Sequence, residues 1–210
     1  MHDHSDSDRH GAKQPGRFDV ARAARLDDPE RFGYLPPAEV LELLGAPQDA
    51  CVVDFGTGTG TYAIAIAKLR PDLQIFALDE QAGMLELLRN KLAVAPLPKI
   101  EPVGAEALPA LRGRADRVLA VNVLHELGDV ALRGLGELLG PDGRALFVDW
   151  NAEVERPVGP PRDHVYTMND ARSRLEESNF LVTEERRFPY HYALTASRKG
   201  PSYQAPEGTK

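Results

Sequence analysis

The chain has 210 residues, 42% of them hydrophobic and 27% charged, with 25 basic against 32 acidic side chains and a net charge of -7. This length suits one domain with a short appendage, and the composition excludes global disorder and collagen-like repeats. The acidic balance argues against nonspecific nucleic-acid binding, which needs a basic face to displace counterions.

Cys51 is the single cysteine and has no internal disulfide partner. No Cys/His set carries zinc-site spacing, so no bound metal is expected. The polar start MHDHSDSDRHGAK lacks the apolar core of a secretory signal, and no apolar run reaches the ~20 residues of a bilayer span. The expectation is a soluble cytoplasmic protein with no membrane or nucleic-acid partner, and a homodimer is the base-rate oligomer.

In chain order, residues 1–16 read as a disordered tail. His2, His4 and His10 within it could chelate a stray ion, but the composition favours solvated chain. Residues 17–48 read as a helical arm. Val20, Ala23, Ala24 and Leu26 precede a turn at Asp28-Pro29, and Val40, Leu41, Leu43 and Leu44 form a stripe that stops at Gly45.

From residue 49 to 198, strands alternate with helices. CVVDF is a buried strand, followed by a glycine loop and the helix TYAIAIAKLR. LQIFALD and the helix QAGMLELLRNKLA come next, then the weaker strand KIEPVG and a short helix around Ala105–Leu111. ADRVLAVNVL leads to the helix VALRGLGELL. The strand of residues 143–150 and a proline-rich loop precede the helix MNDARSRLEESN. FLVTEERRF and YHYALTAS close as an antiparallel pair, and residues 199–210 read as a flexible tail. The alternation predicts an α/β fold: a mainly parallel sheet with helices on both faces, completed by an antiparallel strand.

The segment VVDFGTGTGTYAIAIA carries the most chemistry. Gly56, Gly58 and Gly60, interleaved with Thr57, lie between a buried strand and an amphipathic helix. Glycine there permits a sharp turn and close ligand approach, and the helix N-terminus offers unpaired N–H groups. Asp54 precedes the loop, and Asp79 closes the second strand, where an acid can accept both hydroxyls of a ribose. The spacing is GxGxG, with Thr61 where the dinucleotide fingerprint GxGxxG places its last glycine. An NAD-dependent oxidoreductase is therefore the alternative reading, further weakened because no Tyr-x-x-x-Lys pair is present.

VVDFGTGTG resembles the first motif of class I S-adenosylmethionine-dependent methyltransferases, FALDEQAGMLELLRNK their second, and ADRVLAVNVLHEL their fourth-strand motif. The likeness runs from about residue 18 to 198. It is nearest to the ubiquinone/menaquinone-biosynthesis type, including a subset that shares Leu26–Arg31 (L-D-D-P-x-R) and Gly159–Pro161 (G-P-P).

The resemblance implies a Rossmann-like seven-stranded sheet of order 3-2-1-4-5-7-6 with strand seven antiparallel. It implies S-adenosyl-L-methionine as cofactor, S-adenosyl-L-homocysteine as product, and a small-molecule methyl acceptor. The glycine loop with Asp54 would hold the methionine end of the cofactor and Asp79 the ribose, while Glu80 and Met84 would border the adenine. The aspartate usual after strand three aligns with Gly104, which leaves the adenine contact to Ala105 or Glu106. Asn122 would face the transferred methyl group. His125, just beyond the carboxyl edge of the sheet, is a candidate acceptor contact and a candidate base, its ordinary pKa of ~6.5 suiting neutral pH, and the chemistry compels no residue to be that base. Phe18, Arg22, Arg25, Phe32, Tyr34, Arg162 and Tyr166 are the candidate acceptor contacts, with Trp150 as pocket wall. A protein that binds the cofactor without catalysis is the remaining alternative, because fold does not fix function.

Overall fold

The structure, a computed structural model, describes residues 20–200. A 3₁₀ segment, Val20–Asp27, opens the arm, followed by helices α1 (Arg31–Tyr34) and α2 (Pro37–Leu44). Pro29 and the Pro36-Pro37 pair explain why the arm is three short pieces: proline lacks the N–H that a continuing helix needs. Pro37 instead sits at the start of α2, and Gly45 ends it in the left-handed region at φ 53°.

Then come β1 (Cys51–Phe55), α3 (Thr61–Leu69), β2 (Gln74–Leu78), α4 (Ala82–Val94), β3 (Ile100–Val103) and α5 (Leu108–Leu111). β4 (Ala115–Val121), α6 (Asp129–Leu138), β5 (Leu139–Trp150), α7 (Met168–Glu177), β6 (Phe180–Arg187) and β7 (His191–Arg198) complete the chain. The seven strands form one sheet of order β3-β2-β1-β4-β5-β7-β6. β1 to β5 pair in parallel, and β7 runs antiparallel to both β5 and β6. Fold class and strand order are those expected from the sequence.

The sheet buries both faces. Leu35, Val40 and Leu44 of the arm pack with Tyr62 and Ile66 of α3 on one side, against Val148 and Ala193. On the other, Leu132 and Leu135 of α6 and Leu175 of α7 pack against Phe147, Phe180 and Tyr192. A strand buried on both faces loses the polar alternation of a half-exposed one, hence the continuous apolar runs of β1 and β4.

β5 begins earlier than expected, at Leu139 instead of residue 143. The Gly-Pro-Asp-Gly run, which reads as a turn, is absorbed as an irregularity where the β4–β5 register shifts between Ala115 and Arg117. A Cβ on Gly143 would stand 2.7 Å from the Ala115 carbonyl, so only glycine lets the two backbones approach there.

After β3 the chain crosses back to place β4 on the other side of β1. Their carboxyl ends flank the point where strand order reverses, the place at which open α/β sheets bind ligands.

Candidate active site

The glycine loop leaves β1 with Gly56, Gly58 and Gly60 at φ 73°, 56° and 78°, all in the region that L side chains avoid. Space is short as well: a Cβ on Gly56 would meet Val123 Cγ1 at 2.6 Å, and one on Gly60 would collide with Leu88. The loop is tied to β2 by Gly56 N and Thr57 N, both donating to the Leu78 carbonyl.

Two buried carboxylates flank it. Asp54 accepts from Thr57 Oγ1 at 2.6 Å. Burial pushes its pKa up to about 6, and the Asp79 charge adds to the shift. Asp79 accepts from Gly58 N at 2.8 Å through one oxygen and from Gln81 N at 2.9 Å through the other. Burial raises its pKa too, against those two backbone donors. An ionised carboxylate has about four acceptor positions, so each Asp79 oxygen keeps one lone pair for a ligand hydroxyl.

Glu80 is exposed next to Asp79, whereas Met84 is buried in the core. Ala105 and Glu106 are exposed beyond β3. Glu106 folds back so that its Oε1 accepts from Gly104 N at 3.1 Å, filling the space that a side chain at Gly104 would occupy. A carboxylate thus stands beside Gly104, the position where the resemblance expects an acid.

The arm crosses this loop. Leu26 Cδ1 lies 3.0 Å from where a Gly58 Cβ would be. Asp27 Oδ1 accepts from Thr59 Oγ1, Thr61 Oγ1 and Lys91 Nζ at 2.7, 2.9 and 2.5 Å. Burial alone would raise the Asp27 pKa, but these donors hold it below the usual value.

At the end of β4, Asn122 adopts φ 59° while its N–H still donates to the Val148 carbonyl. Its Oδ1 is buried with no hydrogen-bond partner among the described residues. A non-glycine residue held in the left-handed region, with an orphaned acceptor, is a common signature of functional sites. His125 follows in a 3₁₀ turn, Leu124–Glu126, and is 6% exposed. Its Nδ1 lies 2.8 and 2.9 Å from the two oxygens of Asp149, and its backbone N–H donates to the same carboxylate at 2.9 Å. Asp149, fully buried, also accepts from Trp150 N. Burial would lower the His125 pKa, but the Asp149 charge and hydrogen bond, with the Glu126 charge, raise it overall.

Asp149 is a site residue that the sequence reading missed. His191 and Arg156 are two more, in a cluster around Trp150. His191 pairs with Trp150 across β5 and β7, their ring centroids 4.0 Å apart, and Tyr34 stacks on His191 at 5.7 Å and 9°. Burial drives the His191 pKa down to about 3, helped by Arg31 and Arg156, so its imidazole is neutral. The Arg156 guanidinium lies over the Trp150 ring at 5.3 Å.

The other expected acceptor contacts scatter. Phe32 packs edge-on against Tyr62, and Arg25 is exposed. Arg162 is exposed and donates to the Ala152 carbonyl. Tyr166 packs under the Arg174 guanidinium with the core of the α6–α7 face. Phe18 and the side chain of Arg22 lie outside the described residues, as do residues 1–16 and 201–210, whereas Lys199, expected in the tail, donates from its backbone N–H to the Asn179 carbonyl. Among the described residues no helix is long and apolar enough to cross a membrane.

A strand–glycine loop–helix at the reversal point, an acid closing β2 and a polar end to β4 make a site of the kind that binds nucleotide-like cofactors at the carboxyl edge of an open α/β sheet. Residues 53–145 match the methyltransferase domain family. A SAM-dependent methyltransferase from Aquifex aeolicus shares the fold with a TM-score of 0.79 and 27% identity, over 86% of this chain and 98% of that one. The release factor glutamine methyltransferase of Mycolicibacterium smegmatis is 33% identical over 108 residues, 50% of this chain and 37% of its own. The carboxy-S-adenosyl-L-methionine synthase of Campylobacter jejuni is 33% identical over 85 residues, 38% of this chain and 36% of its own. The chain thus spans little more than a third of the length of these two curated relatives. Domain and fold together imply S-adenosylmethionine as the cofactor.

Proposed function

We propose that the protein is an S-adenosylmethionine-dependent methyltransferase acting on a small-molecule acceptor with a removable proton, and that His125, oriented by Asp149, is the base. The observation that carries this reading is the buried His125–Asp149 pair, three residues past the strained Asn122. Asp149 fixes the proton on Nδ1, which leaves Nε2 of the neutral imidazole as the proton-accepting atom.

The cofactor supplies a methyl group on a positively charged sulfur, which is already a good leaving group. The chain's task is then alignment, exclusion of water and removal of the acceptor's proton. The spare lone pairs of Asp79 suit a ribose, and the orphaned Asn122 Oδ1 suits a polarised methyl or an amino group. A cation beside Asp54 would offset its burial and draw its pKa back down.

A small acceptor is favoured because the chain's own arm and the loop after β5 bury the aromatic cluster at the carboxyl edge. The release factor relatives are named for a glutamine in a protein, and a protein acceptor is the reading to test against. The ubiquinone/menaquinone-type subgroup rests on the likeness over residues 18–198, with Leu26–Arg31 and Gly159–Pro161 marking a subset within it.

Calorimetric titration with S-adenosylmethionine, S-adenosylhomocysteine and NADH tests the cofactor. Saturable binding of the first two, lost in Asp79→Ala, is expected. Binding of NADH alone would overturn the methyltransferase reading in favour of an oxidoreductase. Binding with no turnover on a broad panel of protic small molecules would favour a non-catalytic binder or a protein acceptor.

A further inference from the structure

His191 is fully buried, and neither of its ring nitrogens has a hydrogen-bond partner among the described residues. Its surroundings are rings: Trp150 at 4.0 Å on the neighbouring strand, and Tyr34 of α1 stacked on it at 5.7 Å, with Tyr190 5.3 Å from Tyr34. An imidazolium in this place would need acceptors for two N–H groups and has none, whereas a neutral ring leaves only one donor unmet. The nearby charges oppose protonation as well. Arg31 on α1 and Arg156, which lies over the Trp150 ring, are both positive. Asp149 pulls the other way, but side chains alternate along β5, so it projects from the face opposite Trp150 and His191. There it already accepts from His125 and from Trp150 N. Asp28 and Glu30, beside α1, act on the Tyr34 hydroxyl.

The ring that covers His191 also belongs to the arm that covers the glycine loop. Arg31 Nη1 donates to the Leu26 carbonyl at 2.7 Å, which ties α1 to the end of the 3₁₀ segment. The Leu35 carbonyl accepts from Tyr62 Oη at 2.9 Å. Leu26 and Asp27 are the arm residues seated on Gly58, Thr59 and Thr61. One stretch of chain, residues 26–35, therefore joins His191 to the cofactor loop.

We infer that His191 is a positioning residue for the cofactor loop: its neutral ring seats Tyr34 and with it the arm, and protonation expels Tyr34 and lifts Leu26 and Asp27 from the loop. With the arm unseated, the imidazole meets water and regains its ordinary pKa of ~6.5. Seated, it stays neutral down to a pKa of about 3. The folded pKa is depressed, so the seated state is fully favoured above pH ~6.5 and loses roughly a factor of ten per pH unit below it, until about pH 3. The arm's response to pH is independent of the methyl acceptor; only its effect on ligand binding rests on the cofactor reading.

Amide hydrogen exchange of the full chain reads the seating directly. The reporter is Leu35 N–H, which donates to the Arg31 carbonyl at 2.9 Å. Its protection, corrected for intrinsic exchange, should fall about tenfold from pH 7.5 to pH 5.5 in the parent and stay constant in His191→Phe, whose ring cannot titrate. At both pH values Leu35 should be at least tenfold less protected than the amides of β1, which marks local opening. S-adenosylhomocysteine at a hundred times its Kd should raise Leu35 protection tenfold or more at pH 7.5.

Constant Leu35 protection in the parent, an equal fall in His191→Phe, or protection equal to that of β1 would each overturn the inference. If His191→Phe fails to fold, the ring signals of His191 in the parent decide, assigned through their contacts with Trp150: a pKa at or above 6.5 in the folded chain refutes it. Calorimetric binding of S-adenosylhomocysteine with no gain in Leu35 protection refutes the link from arm to loop and leaves the cofactor reading standing. No binding at all refutes the cofactor reading and the positioning role together, while the acid release of the arm is still read by exchange.

Discussion

Replacing Asp54 with asparagine should separate the cost of holding a charge under the glycine loop from its use. Asp54 is 3% exposed and its pKa rises from 3.8 to about 6 on folding. The folded state therefore binds the proton more tightly than the unfolded state, and stability from this group falls as pH rises through the window from about 4 to about 6. A shift of roughly two pKa units at ~1.4 kcal/mol each puts the full cost near ~3 kcal/mol above that window. About half of it, ~1.5 kcal/mol, develops between pH 5 and pH 8.

Asparagine keeps an acceptor for Thr57 Oγ1 but has no charge to titrate. Its unpartnered amide adds a pH-independent penalty of ~1–3 kcal/mol. The prediction therefore concerns slope: the stability of Asp54→Asn relative to the parent, from urea unfolding of ligand-free protein, should improve by ~1.5 kcal/mol between pH 5 and pH 8. A flat difference, or one that improves toward acid, would refute the reasoning. The same variant should bind S-adenosylhomocysteine at least tenfold more weakly.

Asp149→Asn should lower kcat by ~10²–10⁴, and the rising limb of its pH–rate profile should move to lower pH, because the raised His125 pKa depends on the Asp149 charge. In the parent, activity should climb as pH rises through that elevated pKa; an unmoved limb in the variant would exclude His125 as the titrating base. Asn122→Gly should keep or slightly improve thermal stability, since glycine tolerates φ 59°, while losing activity. Asn122→Ala should lose activity and also ~1 kcal/mol of stability; wild-type turnover in the glycine variant would remove Asn122 from the site. Asp27→Ala breaks the contacts to Thr59, Thr61 and Lys91 across the loop. It should weaken cofactor binding several-fold in calorimetry with a melting temperature only a few degrees lower, and unchanged affinity would show that the arm does not order the loop.

Much of this architecture is legible because each element is short and punctuated. Gly60 and Gly45 mark helix boundaries where the structure has them, and the CVVDF strand has the same limits in both. The site divides differently. Its cofactor half lies on one continuous strand–loop–helix, so Asp54, the three glycines and Asp79 can be read from local spacing. The other half is assembled by sheet pairing. Asp149 reaches His125 because β5 lies beside β4, and His191 reaches Trp150 because β7 returns next to β5. An acid closing the apolar run LFVDW, and a histidine between the tyrosines of YHYAL, were the available signals. Each resembles an ordinary strand end until its neighbour is known. The arm's contact with Gly58 was not legible for the same reason.

The antiparallel insertion of β7 between β5 and β6 also sets an order of assembly. Every earlier strand can find its partner as the chain lengthens, but β6 has none until residues 191–198 are made, and β5 keeps a bare edge until then. A nascent or truncated chain that stops short of His191 would present the longest strand of the sheet, including Leu146 to Trp150, as an open template for pairing with other chains. The halves of the site thus mature at different times on the ribosome. The last eight-residue strand both completes the second half and covers the open edge of β5.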